Sequence, residues 1–274
     1  MSEFSDITEN YYDSDDADRF YYHIWGGEDI HIGLYEEGES DIRLASRRTV
    51  EAMATKLKHW PGGTRLLDIG AGYGGSGRYL IKEHRFDVTS LNLSKIQNQR
   101  NREFNQLQGL CSQHVVVDGN FESLPFGEST FDLVWSQDAV LHSGNRYAVF
   151  EEVNRVLKPG GEFIFSDPMQ RRGASATALD PVLKRIHLAS LGSFETYDDY
   201  RKKLGWENLS VTDLTPQLVN HYAAVRANLE SRRKELSAIV SEAYIDQMIR
   251  GLDHWVEAGK ARVLAWGIMH YRKP

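Results

Sequence analysis

The stretch Leu66-Leu67-Asp68-Ile69-Gly70-Ala71-Gly72-Tyr73-Gly74-Gly75 joins an apolar run, an acid near its end and a glycine-rich turn. Such a segment lets a buried parallel strand turn sharply into a helix while a ligand comes close to the backbone. The glycines satisfy the spacing G-x-G-x-x-G at Gly70, Gly72 and Gly75. That pattern speaks for a nucleotide-like cofactor without choosing among cofactors. A nicotinamide cofactor would want an acid about 20 residues on, at the tip of the next strand. The tip here is Asn92, a neutral amide that can still bond a ribose diol. Further candidates stand at Asp118, after a third apolar run, and at Asp138 and His142, after a fourth. An imidazole such as that of His142 can take up or hold a proton near pH 7.

These residues need a frame that brings strand ends together. Apolar runs at 64–69, 87–93, 114–117, 131–135 and 161–167 alternate with helical patterns at 75–84, 94–108 and 145–157. That alternation predicts a doubly wound parallel sheet. After Asp167 the pattern changes. Helices are expected at 176–190 and 197–204, a strand at 209–214, a long charged helical stretch at 217–260 and a last strand at 261–271. The last two strands are expected to form an edge hairpin, and the helical segments around them to cap the site. A helix is expected over 40–60, ended by Pro61-Gly62-Gly63. Residues 1–30 are rich in acids but also in aromatics, among them Tyr11, Tyr12, Tyr21, Tyr22 and Trp25. Disordered tails are poor in aromatics, so an ordered helical arm is expected there.

Several fragments resemble the class I S-adenosylmethionine-dependent methyltransferases. They are the glycine turn, Asp118 followed by Leu124-Pro125-Phe126 and Phe131-Asp132-Leu133-Val134, and the row Arg155-Val156-Leu157-Lys158-Pro159-Gly160-Gly161. The likeness covers about residues 64–167. It implies a Rossmann-like α/β fold, a seven-stranded, mostly parallel sheet with an antiparallel edge strand. It also implies S-adenosylmethionine as methyl donor and S-adenosylhomocysteine as product. By the resemblance, the turn with Asp68, Gly70 and Gly72 passes the methionine moiety, and Asn92 holds the ribose where the family usually carries an acid. Asp118 accepts from the adenine amino group, and Gly119, Asn120 and Phe121 cover the ring. Trp25, Ile32, Leu93, Gln97, Ser136 and Gln137 complete the implied cofactor set. The expected organisation is one methyltransferase domain over 1–274: an arm (1–62), a cofactor core (63–167), acceptor-site insertions (168–260) and a final strand (261–274).

The flanks speak for the acceptor. Residues 21–33, Ser136 to Ser143, Ser166 to Gln170, Arg185 to Leu188 and Gly251 to Val256 are similar to the sarcosine/dimethylglycine N-methyltransferases of betaine synthesis. More distantly, W-G-G-E and S-x-D-x-x-L-H resemble the phosphoethanolamine methyltransferases, in which an N-terminal tyrosine and this histidine sit over the acceptor amine. The matching positions are Tyr12, with Tyr11 as alternative, and His142. The resemblance thus implies catalytic roles for His142, Tyr12 and Asp138, and substrate contacts from Tyr21, Met169, Arg185 and His187.

The chemistry agrees with that likeness. Methyl transfer is an in-line displacement that needs an aligned, neutral amine and exclusion of water. His142 could take the ammonium proton, and Asp138 could favour the positive charge that builds on nitrogen. Asp138 also reads as a helix N-cap. Aromatic side chains can line a quaternary ammonium. A carboxylate on the acceptor calls for an arginine. Arg185 is preferred, with Arg171-Arg172 and Arg43 as other candidates. Rival readings are the same chemistry on glycine or phosphoethanolamine, carbon methylation of a lipid, and a cofactor-binding regulator without turnover.

Composition narrows the partners. The 274 residues carry 39 acids against 32 lysines and arginines, a formal charge of −7. Bulk attraction to nucleic acid is therefore not expected. The single cysteine, Cys111, excludes an intrachain disulfide, and the histidines show no metal-ligand grouping. No apolar leader or membrane-length run is evident. The expectation is a cytoplasmic protein, monomer or homodimer, whose partner is a small-molecule amine, with no metal, nucleic acid or membrane.

Overall fold

The computed structural model describes residues 20–186 and 188–274. Its centre is a seven-stranded sheet. In chain order the strands are β1 (Arg65–Ile69), β2 (Asp87–Asn92), β3 (His114–Asp118), β4 (Phe131–Gln137), β5 (Leu157–Gln170), β6 (Glu207–Asp213) and β7 (Leu264–Arg272). Their spatial order is β3-β2-β1-β4-β5-β7-β6. The first five run parallel, while β7 pairs antiparallel with both β5 and β6. The expected edge hairpin is thus present, with β7 inserted between β5 and β6.

The helices are α1 (Ile42–Ala54), α2 (Gly75–His84), α3 (Lys95–Leu107), α4 (Arg146–Val156), α5 (Ala176–Arg185), α6 (Phe194–Lys203), α7 (Thr215–Ser231), α8 (Arg233–Leu236) and α9 (Glu242–Lys260). A π-helical turn covers Tyr21–Gly26. Local chemistry sets several starts: Asp41, Ser94, Asn145, Ser193 and Ser241 each accept a backbone N–H of the first helical turn. The helical stretch expected over 217–260 is three helices. Arg232 separates the first two, Ser237 ends the second, and Ser241 caps the third. Helix α5 stops at Arg185, five residues short of the expected end.

One face of the sheet packs on α1 and α2 through Val50, Met53, Leu80 and Ile81. The other packs on α4 and α6 through Val149, Phe150, Val153 and Tyr197. A third cluster joins the π-helical turn, α5, α7 and α9, with Trp25, Val182, Tyr222 and Trp255 inside it. This cap lies over the crevice where β1 and β4 run side by side. From β1 the sheet proceeds one way to β2 and β3, and from β4 the other way to β5. Ligands of open α/β sheets bind at such a switch point, beyond the carboxyl ends of the strands.

Candidate active site

Two loops meet at the switch point. After β1, Gly70 and Gly72 take positive φ (75° and 53°). A Cβ on Gly70 would lie 2.3 Å from the Ala139 Cβ, so the two loops touch only because glycine stands there. After β4, Asp138 itself takes φ 51° and swings its carboxylate back over the sheet. Oδ2 accepts from the Ile32 N–H (2.7 Å), and Oδ1 from Ser166 Oγ (2.8 Å) and Trp266 Nε1 (2.8 Å). Asp138 is therefore no helix N-cap; its side chain pins a distant segment to the strand ends.

That segment, residues 28–35, crosses the crevice as a strap. Beyond the Asp138 bond, Leu34 N donates to Ala45 O, Thr49 Oγ1 donates to Ile32 O and Gly33 N donates to His221 Nδ1. The Tyr35 N–H and carbonyl both bond the Gln217 amide. The Gly33 bond leaves the proton of the neutral His221 ring on Nε2. Burial lowers the pKa of that ring to about 3.

On one side of the strap lies a cavity of about 770 Å³. Gly70, Gly72, Asn92, Leu93, Ser94 and Gln97 line it, with residues 119–122, Gln137 and, at the strap, Ile30, Asp138 and His142. A lobe of about 300 Å³ continues it past Asp68, Gly75, Ser76 and His31. Burial, with the Asp29 carboxylate near, pushes the Asp68 pKa up to about 7. A buried carboxyl facing this lobe suits a cationic amino-acid end. Asn92 spends its amide NH2 on Gln97 Oε1 (2.9 Å), which leaves Oδ1 as the acceptor for a ribose hydroxyl. Carboxyl, ribose-binding amide and close-approach glycines together fit S-adenosylmethionine along the pair of cavities.

On the other side lies a cavity of about 490 Å³, lined by Tyr21, Trp25, His31, Ile32, Leu141, Pro168, Arg185, Ile186, Tyr222 and Trp255, and again by Ile30, Asp138 and His142. The aromatic rings form a continuous wall. Centroids are 5.3 Å apart for Tyr21–Trp25, 5.8 Å for Trp25–Tyr222 and 4.7 Å for Tyr222–Trp255. Ile30, Asp138 and His142 belong to both cavities, so they border the path by which a methyl group crosses. Burial, reinforced by the Arg146 charge, lowers the His142 pKa to about 4, so its imidazole is neutral near pH 7. Burial raises the Asp138 carboxyl, and His31 and the three hydrogen bonds pull it back. Deeper in, Asp167 accepts from Leu141 N (3.0 Å) and bonds the Tyr197 hydroxyl. Burial pushes its carboxyl up to about 8, with Asp138 adding to the effect.

Most expected residues meet here, and several change place. Gly70, Gly72, Asn92, Leu93, Gln97, Gly119, Asn120, Phe121 and Gln137 line the first cavity, Asp68 its lobe, and Tyr21 and Arg185 the second. Trp25 and Ile32 line the second cavity rather than the cofactor side. Ser136 is fully buried, and its hydroxyl donates to Ile69 O within the sheet. Met169 is core, because strand alternation turns Pro168 to the cavity and Met169 to the α4–α6 face. Asp118 stands outside the cavity, its Oδ1 taken by Asn98 (2.7 Å) and Arg102 (2.9 Å). Tyr12 and His187 lie outside the described residues. Ile30, His31, Tyr222 and Trp255 were not expected. The last two sit at apolar helical spacing that reads as ordinary core.

Residues 67–165 match the family described as a methyltransferase domain. The sarcosine/dimethylglycine N-methyltransferase of Aphanothece halophytica is 52% identical over 97% of this chain and 96% of its own length. The dimethylglycine N-methyltransferase of Parasynechococcus marenigrum is 44% identical over 98% and 96%. A crystal structure of a proposed sarcosine dimethylglycine methyltransferase from Galdieria sulphuraria superimposes with a TM-score of 0.90 at 42% identity, covering 96% of this chain and 98% of that one. Likeness of this depth, end to end in both partners, settles the descent: the chain belongs to the sarcosine/dimethylglycine N-methyltransferase family.

Proposed function

We propose that this protein methylates the amine of sarcosine and N,N-dimethylglycine with S-adenosylmethionine, ending at glycine betaine. The observation that carries this is the pair of cavities meeting at Ile30, Asp138 and His142, one shaped for the donor, the other walled by aromatic rings beside one arginine. Bound in the first cavity, S-adenosylmethionine supplies an electrophilic methyl on a sulfonium. Asp68 with the glycine turn holds its amino-acid end, Asn92 and Gln97 the ribose, and residues 119–121 the base.

The chain's own groups do the rest. Arg185 binds the acceptor carboxylate, which fixes the direction in which the amine points. Tyr21 and Tyr222 border the methylated end and exclude water; each cation–π contact is worth about 0.5–2 kcal/mol. Asp138 places a negative charge beside the nitrogen as it becomes cationic. His142, a neutral imidazole near pH 7, accepts a hydrogen bond from the acceptor's ammonium N–H and passes its proton on to solvent before transfer. In the last step a tertiary amine becomes quaternary, so no proton leaves during transfer and the base acts only beforehand. A catalytic role for Tyr12 is assigned on the likeness to the phosphoethanolamine enzymes. The whole chain acts as one methyltransferase unit, cytoplasmic, as monomer or homodimer. No described helix is long and apolar enough to cross a membrane.

Among the described residues, Arg185 is the only arginine or lysine lining the acceptor cavity. One guanidinium matches a carboxylate and is meagre for a phosphate dianion, which disfavours phosphoethanolamine. The test incubates the protein with S-adenosylmethionine and, separately, glycine, sarcosine, dimethylglycine and phosphoethanolamine, and measures S-adenosylhomocysteine. Product is expected with sarcosine, dimethylglycine or both; none with either refutes the assignment.

A further inference from the structure

Two tryptophans that line the acceptor cavity carry, among the described residues, indole N–H groups with no hydrogen-bond partner. Trp25 is 5% and Trp255 1% exposed, both line the cavity, and Nε1 of each is buried and unbonded. Buried donors are almost always satisfied, and an orphan is costly. Two orphan donors on residues that line one cavity point to a ligand that accepts.

The cavity has a direction. Its inner end, shared with the donor side, holds Asp138, whose negative charge favours an amine and repels an acid. Trp25, Trp255 and Arg185 line only the outer, acceptor side. Gly251 and Trp255 are one turn apart on α9 and share a face. A Cβ on Gly251 would lie 2.4 Å from Arg185 Cδ and 2.5 Å from Nε. The arginine stem therefore crosses α9 on the bare backbone of Gly251, one turn from the Trp255 indole.

We propose that Arg185 and the indole N–H groups of Trp25 and Trp255 form a three-point cradle for the acceptor's carboxylate, with Gly251 fixing the guanidinium within it. A carboxylate offers about four lone-pair sites. A guanidinium fork takes up to two, and the indoles take the others. Neighbouring rings hold both indoles in place. Trp25 lies edge-on to His221 and Tyr222, with centroids at 5.2 and 5.8 Å, and Trp255 leans on Tyr222. Their N–H directions are set before the acceptor arrives, which lowers the cost of binding. Trp25 and Trp255 thus determine specificity for amino acids over amino alcohols. This rests on the acceptor class proposed above.

Calorimetry on the full chain tests it with glycine betaine and with choline, whose trimethylammonium is the same and whose carboxylate is replaced by a hydroxymethyl group. Wild type should bind betaine at least about tenfold more tightly than choline. Trp25→Phe and Trp255→Phe, which keep an aromatic ring and lose the donor, should each weaken betaine about tenfold or more and leave choline unchanged. Gly251→Ala should raise KM for dimethylglycine while changing kcat less. Equal loss of betaine and choline in the phenylalanine variants would make the indoles a cation wall and overturn the cradle, as would wild-type betaine affinity. Should a variant fail to fold, the wild-type comparison decides, since equal binding of betaine and choline refutes the cradle alone. A wild type inactive on both sarcosine and dimethylglycine refutes the acceptor assignment instead.

Discussion

Replacing His142 by alanine separates a base from a mere wall. The acceptor amine resembles a lysine ammonium, with a pKa of about 10.4. Its free-base fraction is then about one in a thousand at pH 7.4 and about one in ten at pH 9.4. Reaching that form at pH 7.4 costs about 4 kcal/mol, at about 1.36 kcal/mol per unit. Burial and Arg146 lower the His142 pKa to about 4, so the ring is neutral over this whole interval; it does not keep the amine proton but accepts the ammonium hydrogen bond and relays the proton to solvent. A positioned base contributes about 10²–10⁴-fold. The variant should therefore lose about a hundredfold or more in kcat/KM near neutrality. By about pH 9.4, where solvent supplies much of the free amine, the deficit should shrink to about tenfold or less. Because His142 titrates near 4, the wild-type profile should show no inflection at an ordinary histidine value. Initial rates of S-adenosylhomocysteine formation from dimethylglycine across this range give the answer. A deficit that stays constant refutes the base role, and a wild-type inflection between about pH 6 and 7 contradicts the buried, neutral imidazole.

Asp138→Asn should lower kcat about a hundredfold and weaken both ligands, because an amide nitrogen set against the Ile32 N–H releases the strap that walls both cavities; calorimetry with S-adenosylhomocysteine and with betaine checks the pairing. Asp167 is held neutral with a pKa of about 8 against an unfolded 3.8, so its stabilising proton is fully bound at low pH and lost as pH rises towards 8. Asp167→Asn should thus gain in melting temperature over wild type as pH is raised, by a few degrees at the alkaline end; scanning fluorimetry at several pH values reads the gap, and a gap independent of pH counts against a neutral Asp167. Gly70→Ala should abolish S-adenosylhomocysteine binding or folding, since its Cβ meets backbone-anchored Ala139 at 2.3 Å. Gly72→Ala meets only the flexible end of Ile30, at 3.2 Å, and should cost about tenfold in Kd, the left-handed penalty for a non-glycine residue.

The donor side is legible in the sequence because its signals are local. Gly70, Gly72 and the strand ends at Asn92 and Gln137 sit where the alternation of strands and helices places them, and a glycine turn declares itself within six residues. The acceptor side is assembled from segments far apart in the chain. Trp255 and Tyr222 meet across two helices whose spacing is that of any core, so nothing local marks them. Met169 reads as a contact and Pro168 does not, because one residue of strand register reverses which side chain faces the cavity. Asp118 reads as an adenine acceptor from its place in the motif, whereas Asn98 and Arg102, on the preceding helix α3, claim its oxygen. Asp138 reads as a cap from its position before a short turn, but its positive φ turns the carboxylate to Ile32, more than a hundred residues away in sequence.

The strap has a consequence for timing. Two methyl transfers separate sarcosine from betaine, and the spent donor must be exchanged between them. Ile30 walls both cavities, and Asp138 ties neighbouring Ile32 to the floor between them. A partition between two rooms cannot lift for one alone: clearing a path for the spent donor loosens the hold on the half-made product. The successive methylations should then be distributive, with dimethylglycine released to solution and competing with fresh sarcosine for re-entry. A time course from sarcosine should show free dimethylglycine rising first and betaine following after a lag, the lag lengthening as sarcosine is added.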